Sequence, residues 1–494
     1  MATDASVATA HTSQPEHFIF TSGETDPVWI HHLPYKSIPR FSKLDQDVET
    51  DVCIVGAGFS GVSGREVLSG ETGSTSCHLA NDLDDGYPVI AKKHGDKGAK
   101  AAAESHTWAL NRVGEISKQL DIECEYRHLP GYDFSQYPKG SKDHADDIQV
   151  VIEEGQKVKE LGIATEYREG FKLKGWKGNI DQSDAVIYPQ QTTFHPTKYV
   201  VGVLEFLKQQ PNFSCYTNTC CIDVQEKGVE ILGMGHKDVY VKTMEGHTTK
   251  CADAVEAICV PLQKLSVIAE EEYFCTYCIT IRIPKGSVED ALFYDSAEIY
   301  KYVRLTECDD KDDYMVVGGG DHKLDPRCSR WKAHRRLHHR AAQLVNFCLY
   351  VQFIFLQQNF PGLNDPKRLV SIAKSATSMI SHDLQINSQY KCFLQSDITD
   401  IEDLAPGEGG VLNTKTSKPL AVYKDEGGQI RKFSALCPHL KGVVCWNSTE
   451  KSWDFPVHGS RFSKDGIQLC GPSKMGLEPA NESGEALQQQ ALKY

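Results

Sequence analysis

The chain has no apolar run long enough to cross a bilayer. The strongly apolar stretch Leu344 to Leu356 holds thirteen residues, with Asn346 and Gln352 among them, short of the ~20 that a spanning helix needs. A buried segment fits it better than a membrane-surface anchor, and a true transmembrane span fits least. There is no excess of positive charge either. Acidic residues number 67 against 53 basic ones, a formal net charge of −14. Such a chain is not built to condense on phosphate backbones, so nucleic acid is not expected as a partner. The N-terminus lacks a basic segment followed by an apolar one, has no Lys or Arg before Lys36, and carries Asp4 and Glu16. These absences argue against secretory and mitochondrial leaders. The 17 cysteines are odd in number and follow no framework spacing. Reduced thiols and a cytoplasmic location are therefore expected.

What is present is ordinary globular material, 40% hydrophobic and 24% charged over 494 residues, enough for several domains. Residues 1–48 read as an N-terminal arm and 49–326 as an α/β domain. Residues 327–384 form an atypical connecting segment, 385–480 a small β domain, and 481–494 a tail. Helical spacing is predicted over 98–120, 143–161 and 197–210, the last stopped by Pro211. Strands are expected at 239–241, 252–258, 275–283 and 313–319. The stretch from Arg327 to Arg340, with His334, His338 and His339, is basic and His-rich. It reads as a solvated turn rather than a metal site, because carboxylates and cysteines do not accompany it.

The run Asp51 to Val55 predicts a buried strand, and Gly56-Ala57-Gly58-Phe59-Ser60-Gly61 follows it. A strand running into G-x-G-x-x-G is the dinucleotide fingerprint: the glycines permit a tight turn and let a pyrophosphate approach backbone N–H groups. A plain strand–turn is the alternative. The fingerprint also needs a helix, a second strand and an acidic residue about 20 positions on. Only a few residues separate Gly61 from the loop Ser69-Gly70-Glu71-Thr72-Gly73, so the first βαβ unit is expected to be truncated.

Near the C-terminus stand Cys437-Pro438-His439-Leu440 and Trp453-Asp454-Phe455-Pro456-Val457-His458-Gly459-Ser460-Arg461-Phe462. A Cys-x-His followed by a second half ending in His-Gly-Ser is the layout of a Rieske centre, in which two Cys hold one iron of a [2Fe–2S] cluster and two His the other. Cys437, His439 and His458 are the expected metal ligands. Phe455 stands where the fourth ligand, a Cys, belongs. Cys445 and Cys470 are the nearest thiols in sequence that could replace it. A single metal ion on Cys437, His439 and His458, and a β domain without metal, are the other readings. Leu420 to Tyr423, Asp425 to Gly428 and Ile430 to Ala435 read as a hairpin that delivers Cys437 to its loop.

Together these motifs resemble flavin-dependent oxidoreductases of the D-amino-acid-oxidase type fused to a C-terminal Rieske domain. Gly56, Gly58 and Gly61 match that family's FAD fingerprint. Thr72 and Gly73 match its second cofactor loop, which departs at Ser74 and Cys77. Phe194-His195-Pro196 falls where the substrate region begins. The resemblance implies a truncated FAD-binding Rossmann-like domain with an α+β substrate region, followed by an all-β Rieske-like domain. It implies FAD and a [2Fe–2S] cluster as cofactors, a small amine or amino acid as substrate, and an electron-transfer partner. The family's last Gly-rich cofactor turn is absent, and the 327–365 stretch occupies its place. No catalytic base is identified. A catalytically inactive homologue that keeps a Rieske-like binding scaffold is the alternative.

Overall fold

The computed structural model describes Gly23, Tyr137 and residues 25–56, 66–83, 86–135, 139–170, 184–231, 234–258, 273–296, 301–323, 345–351, 396–413, 418–439, 441–456 and 459–480. In chain order the N-terminal region contains β1 (Val48–Val55), the one-turn helix α1 (Glu71–Ser74), β2 (His78–Leu79), α2 (Tyr87–Gln119), β3 (Arg127–Phe134), α3 (Lys142–Glu160), β4 (Glu166–Arg168), β5 (Ala185–Thr193) and α4 (Pro196–Leu207). There follow β6 (Cys221–Ile231), β7 (Met234–Thr243), β8 (Thr248–Glu256), β9 (Tyr273–Pro284), β10 (Leu292–Asp295), β11 (Lys301–Glu307), β12 (Asp312–Lys323) and β13 (Val345–Val351).

The helices form where the sequence periodicity places them. In α3, Ile148, Val151 and Val158 recur at helical spacing and are buried, Ser141 caps the first turn by accepting from the His144 N–H, and Lys157 and Lys159 sit in the last turn. Gly155 lies on the same buried face. A Cβ there would come within 2.7 Å of Val186, so the glycine sets how closely α3 lies on β5. Helix α2 begins earlier than its periodicity suggests, at Tyr87, and is interrupted at Gly95, whose φ of 75° lies outside the helical region. Tyr87, Ala99, Ile148, Val158, Val186 and Tyr188 close one core between α2, α3 and β5.

Two sheets organise this region. One runs β13-β9-β12-β11-β10-β3-β5-β2, with β4 also on β5. The apolar stretch beginning at Leu344 thus contributes β13, which pairs antiparallel with β9. No helix among the described residues is long and apolar enough to cross a membrane. The His-rich turn 327–340 lies outside the described residues. The second sheet has the order β1-β8-β7-β6, with β1 parallel to β8.

The expectation of a buried β1 is corrected here. Of its residues only Val55 is buried, while Val52 and Ile54 are more than half exposed. Among the described residues β1 pairs on one side only, so it is an edge rather than the centre of a doubly wound sheet. The second parallel strand that a complete βαβ unit would add does not appear beside it among those residues.

The C-terminal region is all β. A three-stranded antiparallel sheet holds β14 (Glu408–Leu412), β15 (Leu420–Lys424) and β16 (Ile430–Ser434). A four-stranded one holds β17 (Cys445–Asn447), β18 (Ser452–Asp454), β19 (Arg461–Ser463) and β20 (Gln468–Cys470). Tyr423, Phe433, Trp446, Trp453, Phe455 and Phe462 share one core with Cys437. The expected hairpin is present as β15–β16, turned at Asp425–Gly428 with Gly428 at φ 84°.

Candidate metal centre

Two loops of matching construction stand at the head of the C-terminal region. In the first, the Cys437 N–H donates to the Gly442 carbonyl at 2.8 Å, and the Lys441 N–H donates to the Cys437 carbonyl at 2.8 Å. In the second, the Phe455 N–H donates to the Ser460 carbonyl at 2.7 Å, and the Gly459 N–H donates to the Phe455 carbonyl at 2.9 Å. The fifth residue of each loop has positive φ, 58° at Lys441 and 70° at Gly459. This backbone bonding holds each loop closed through main-chain groups. Hairpin strand β16 feeds the first loop, and β18 and β19 flank the second.

Cys437 is fully buried, with 0% of its surface exposed. His439 follows two residues later and is half-buried. Burial, and then the nearby Lys474 charge, lower its imidazole pKa from the ordinary value, which favours the neutral form that ligates metals. His458 lies outside the described residues. Phe455 occupies the first position of its loop, the position Cys437 takes in the other. It is also 0% exposed and packs in the core with Trp453 and Phe462.

The two candidate replacement thiols do not lie on the loops. Cys445 pairs with Asp454 across β17 and β18, and Cys470 pairs with Arg461 across β19 and β20. Both are buried. The donors described at the loop positions are therefore Cys437 and His439, and a phenyl ring supplies none. With His458 counted from the sequence, the two loops supply three of the four protein ligands a [2Fe–2S] cluster takes.

Beneath the second loop sits a buried ion pair that the sequence reading missed. Arg461 grips Asp454 through two bonds, Nε to Oδ1 at 2.8 Å and Nη2 to Oδ2 at 3.1 Å. Asn447 Nδ2 and Ser452 Oγ also donate to the Asp454 carboxylate, at 3.0 and 2.9 Å. Burial pushes the Asp454 carboxyl up to about 6 against these two bonds, and the two-pronged guanidinium contact holds it ionised at neutral pH. Its sequence signal is weak: an Asp and an Arg seven residues apart, one on each side of the loop.

The region of the G-x-G-x-x-G motif is only partly described. Gly56 ends β1 with φ 131°, a conformation suited to glycine. Gly58 and Gly61 lie outside the described residues. Thr72 and Gly73 lie in α1 and are buried. A Cβ on Gly73 would meet the Leu68 carbonyl oxygen at 2.1 Å, so packing alone requires glycine there. With no second parallel strand beside β1 among the described residues, the acidic ribose partner of the fingerprint has no described strand to carry it.

Glu71 opens α1 and faces the C-terminal region. Its Oε2 and the Arg461 Nη1 are both buried atoms with no hydrogen-bond partner. Burial raises the Glu71 carboxyl to about 8, and the Arg461 charge opposes that rise. Thr25 adds a direct contact between the regions, its Oγ1 donating to Glu450 Oε1 at 2.9 Å.

Residues 396–479 match the model of the Rieske [2Fe-2S] domain. The chain thus carries a Rieske domain at its C-terminus, preceded by a mixed α/β region. It is similar to the "Putative Rieske 2Fe-2S iron-sulfur protein YhfW" of Bacillus subtilis (strain 168), 21% identical over 509 residues, covering 88% of this chain and 94% of that one. It is also similar to a cytochrome b6-f complex iron-sulfur subunit of Synechococcus elongatus, 34% identical over 89 residues, 17% of this chain and 49% of that one. Among solved structures, glycine oxidase from Geobacillus kaustophilus aligns with a TM-score of 0.44 at 12% identity, over 62% of this chain and 81% of that one. That last likeness is too distant to carry a functional argument.

Proposed function

We propose that the chain is an oxidoreductase of the flavin–Rieske type, in which FAD would accept hydride from an amine or amino acid and the C-terminal unit would serve electron transfer. The observation that carries this reading is the Rieske unit itself: two backbone-locked loops, with Cys437 and His439 on one and His458 in the sequence of the other. The similarity to YhfW along most of the chain supports one ancestry for both halves. The flavin assignment rests on Gly56, Gly58, Gly61, Thr72 and Gly73, and a cytoplasmic location on the composition.

A second reading is favoured by Phe455. A fully buried aromatic ring in a ligand position suits a Rieske-like scaffold that no longer assembles a cluster, with the chain acting as an inactive homologue. One experiment separates the two. The full chain is purified anaerobically and assayed for iron, acid-labile sulfide, flavin absorbance and dye reduction with a panel of amines and amino acids. Bound flavin together with substrate-dependent dye reduction supports the first reading. Protein with neither flavin nor iron overturns it and leaves the scaffold.

A further inference from the structure

Outside the Rieske loops, three side chains from distant parts of the chain converge. One donor atom each from His32, Glu125 and His195 lies within 4.8 Å of the others. His32 follows the 3-10 turn Val28–His31, Glu125 precedes β3, and His195 caps α4.

Each side chain is already oriented by a second partner. The His32 Nε2 lies 3.0 Å from the Cys308 carbonyl. A carbonyl only accepts, so Nε2 carries the proton and Nδ1 presents a lone pair. The His195 Nδ1 accepts from the Lys198 N–H at 3.3 Å and lies 3.1 Å from Thr197 Oγ1. To offer Nε2 to a cation the ring must move its proton to Nδ1, where Thr197 Oγ1 can accept the hydrogen bond and the Lys198 bond is given up. Glu125 is held by Lys198 Nζ on Oε1 at 2.9 Å and by Thr306 Oγ1 on Oε2 at 3.0 Å. Oε2 also accepts from the Glu307 N–H at 3.4 Å, so the further lone pair is on Oε1. Imidazoles oriented through their second nitrogen by carbonyl or hydroxyl groups are what metal-binding histidines require.

We propose that His32, Glu125 and His195 bind a first-row divalent cation of the zinc class, with a fourth position open to water. Two imidazoles and a carboxylate are a nitrogen–oxygen donor set that suits such ions. Lys198 tempers the affinity by placing a positive charge beside Glu125. The ion joins the N-terminal arm to β3 and α4, and the same arm reaches the C-terminal region through Thr25. The site shares no residue with either cofactor position of the proposed function and does not depend on that reading.

The test uses the full chain in a Cys437→Ser background, so that the Rieske loop offers no thiolate. Chelator-stripped protein is titrated with Co²⁺, then with Zn²⁺. The expected result is one Co²⁺ per chain, with visible ligand-field bands, no intense thiolate charge-transfer band, quenching of Trp29, whose ring lies 4.8 Å from that of His195, and displacement by Zn²⁺. His32→Ala, which leaves the α4 cap intact, abolishes binding. Thr197→Val removes only the orienting hydroxyl and weakens binding about 10- to 100-fold, while Lys198→Met strengthens it. Circular dichroism verifies that each variant is folded. Absence of Co²⁺ binding, a thiolate spectrum, or unchanged affinity in folded His32→Ala overturns the proposal.

Discussion

Phe455 stands in its loop as Cys437 stands in its own. Each N–H donates to the carbonyl five residues on, and each carbonyl accepts from the N–H four residues on. The pairing makes Phe455 the structural counterpart of a ligand position. Its full burial shows that the core has accommodated a ring where a thiolate belongs in a complete site.

Phe455→Cys is expected to restore the missing donor. Grown with iron and sulfide available, the variant should hold about two irons and two sulfides per chain, while the wild type holds well below that. Without iron the variant loses core packing and should be destabilised by roughly 3 kcal/mol, toward the low end for large-to-small changes at buried aromatic sites. Metal analysis and denaturant unfolding of the iron-free proteins check the two halves separately.

The Asp454–Arg461 pair is expected to matter for folding of the same unit. Asp454→Asn leaves the Arg461 guanidinium buried without its carboxylate, a change that costs about 3–5 kcal/mol in comparable sites. Asp454→Leu combined with Arg461→Met removes both charges and should recover a large part of that loss. Thermal unfolding followed by tryptophan fluorescence measures it, since Trp446 and Trp453 lie in the adjoining core.

Glu71 sets a pH dependence of known sign. Its carboxyl is raised from 4.5 to about 8 by burial, so the folded chain binds a proton that the unfolded chain has released. The stabilisation is complete below about pH 4.5 and is lost as pH rises through about 8. Glu71→Gln keeps the shape without the titration. The difference in melting temperature between wild type and variant should therefore move in the variant's favour as pH rises over that window. A difference that stays flat would show Glu71 to be solvated and ionised throughout.

Gly73→Ala distinguishes a packing role from a cofactor role. The added methyl would lie 2.1 Å from the Leu68 carbonyl oxygen, so the backbone of α1 must shift. The expected loss without FAD is at the upper end of the roughly 1–3 kcal/mol seen for overpacking, and a purely packing role would leave it the same when FAD is added. A stability loss seen only in the presence of FAD would assign Gly73 to cofactor contact instead.

Local patterns made much of this legible in the sequence. The spacing of Ile148, Val151 and Val158 announces α3, Pro211 sets a limit for α4, and Asp425 to Gly428 marks a hairpin turn. The Cys437-x-His439 motif identifies the Rieske unit. What escaped depends on pairing between distant segments. The exposure of Val52 and Ile54 follows from what lies beside β1, which no local pattern encodes. The stretch beginning at Leu344 is apolar whether it ends in a sheet or a membrane, and only its pairing with β9 decides. The His32–Glu125–His195 cluster joins three segments with no common motif. Arg304, 0% exposed, bonds to the Cys77 and Phe194 carbonyls, and nothing around it in sequence marks it as interior.

The main-chain closure of the two Rieske loops has an evolutionary consequence. A loop whose shape is stored in peptide hydrogen bonds does not need its metal to remember that shape. One donor can then be exchanged without the domain collapsing, and selection for the fold is uncoupled from selection for the redox centre. A lineage can carry such a unit as an inheritance open to reuse, one residue away from a complete set of ligand types.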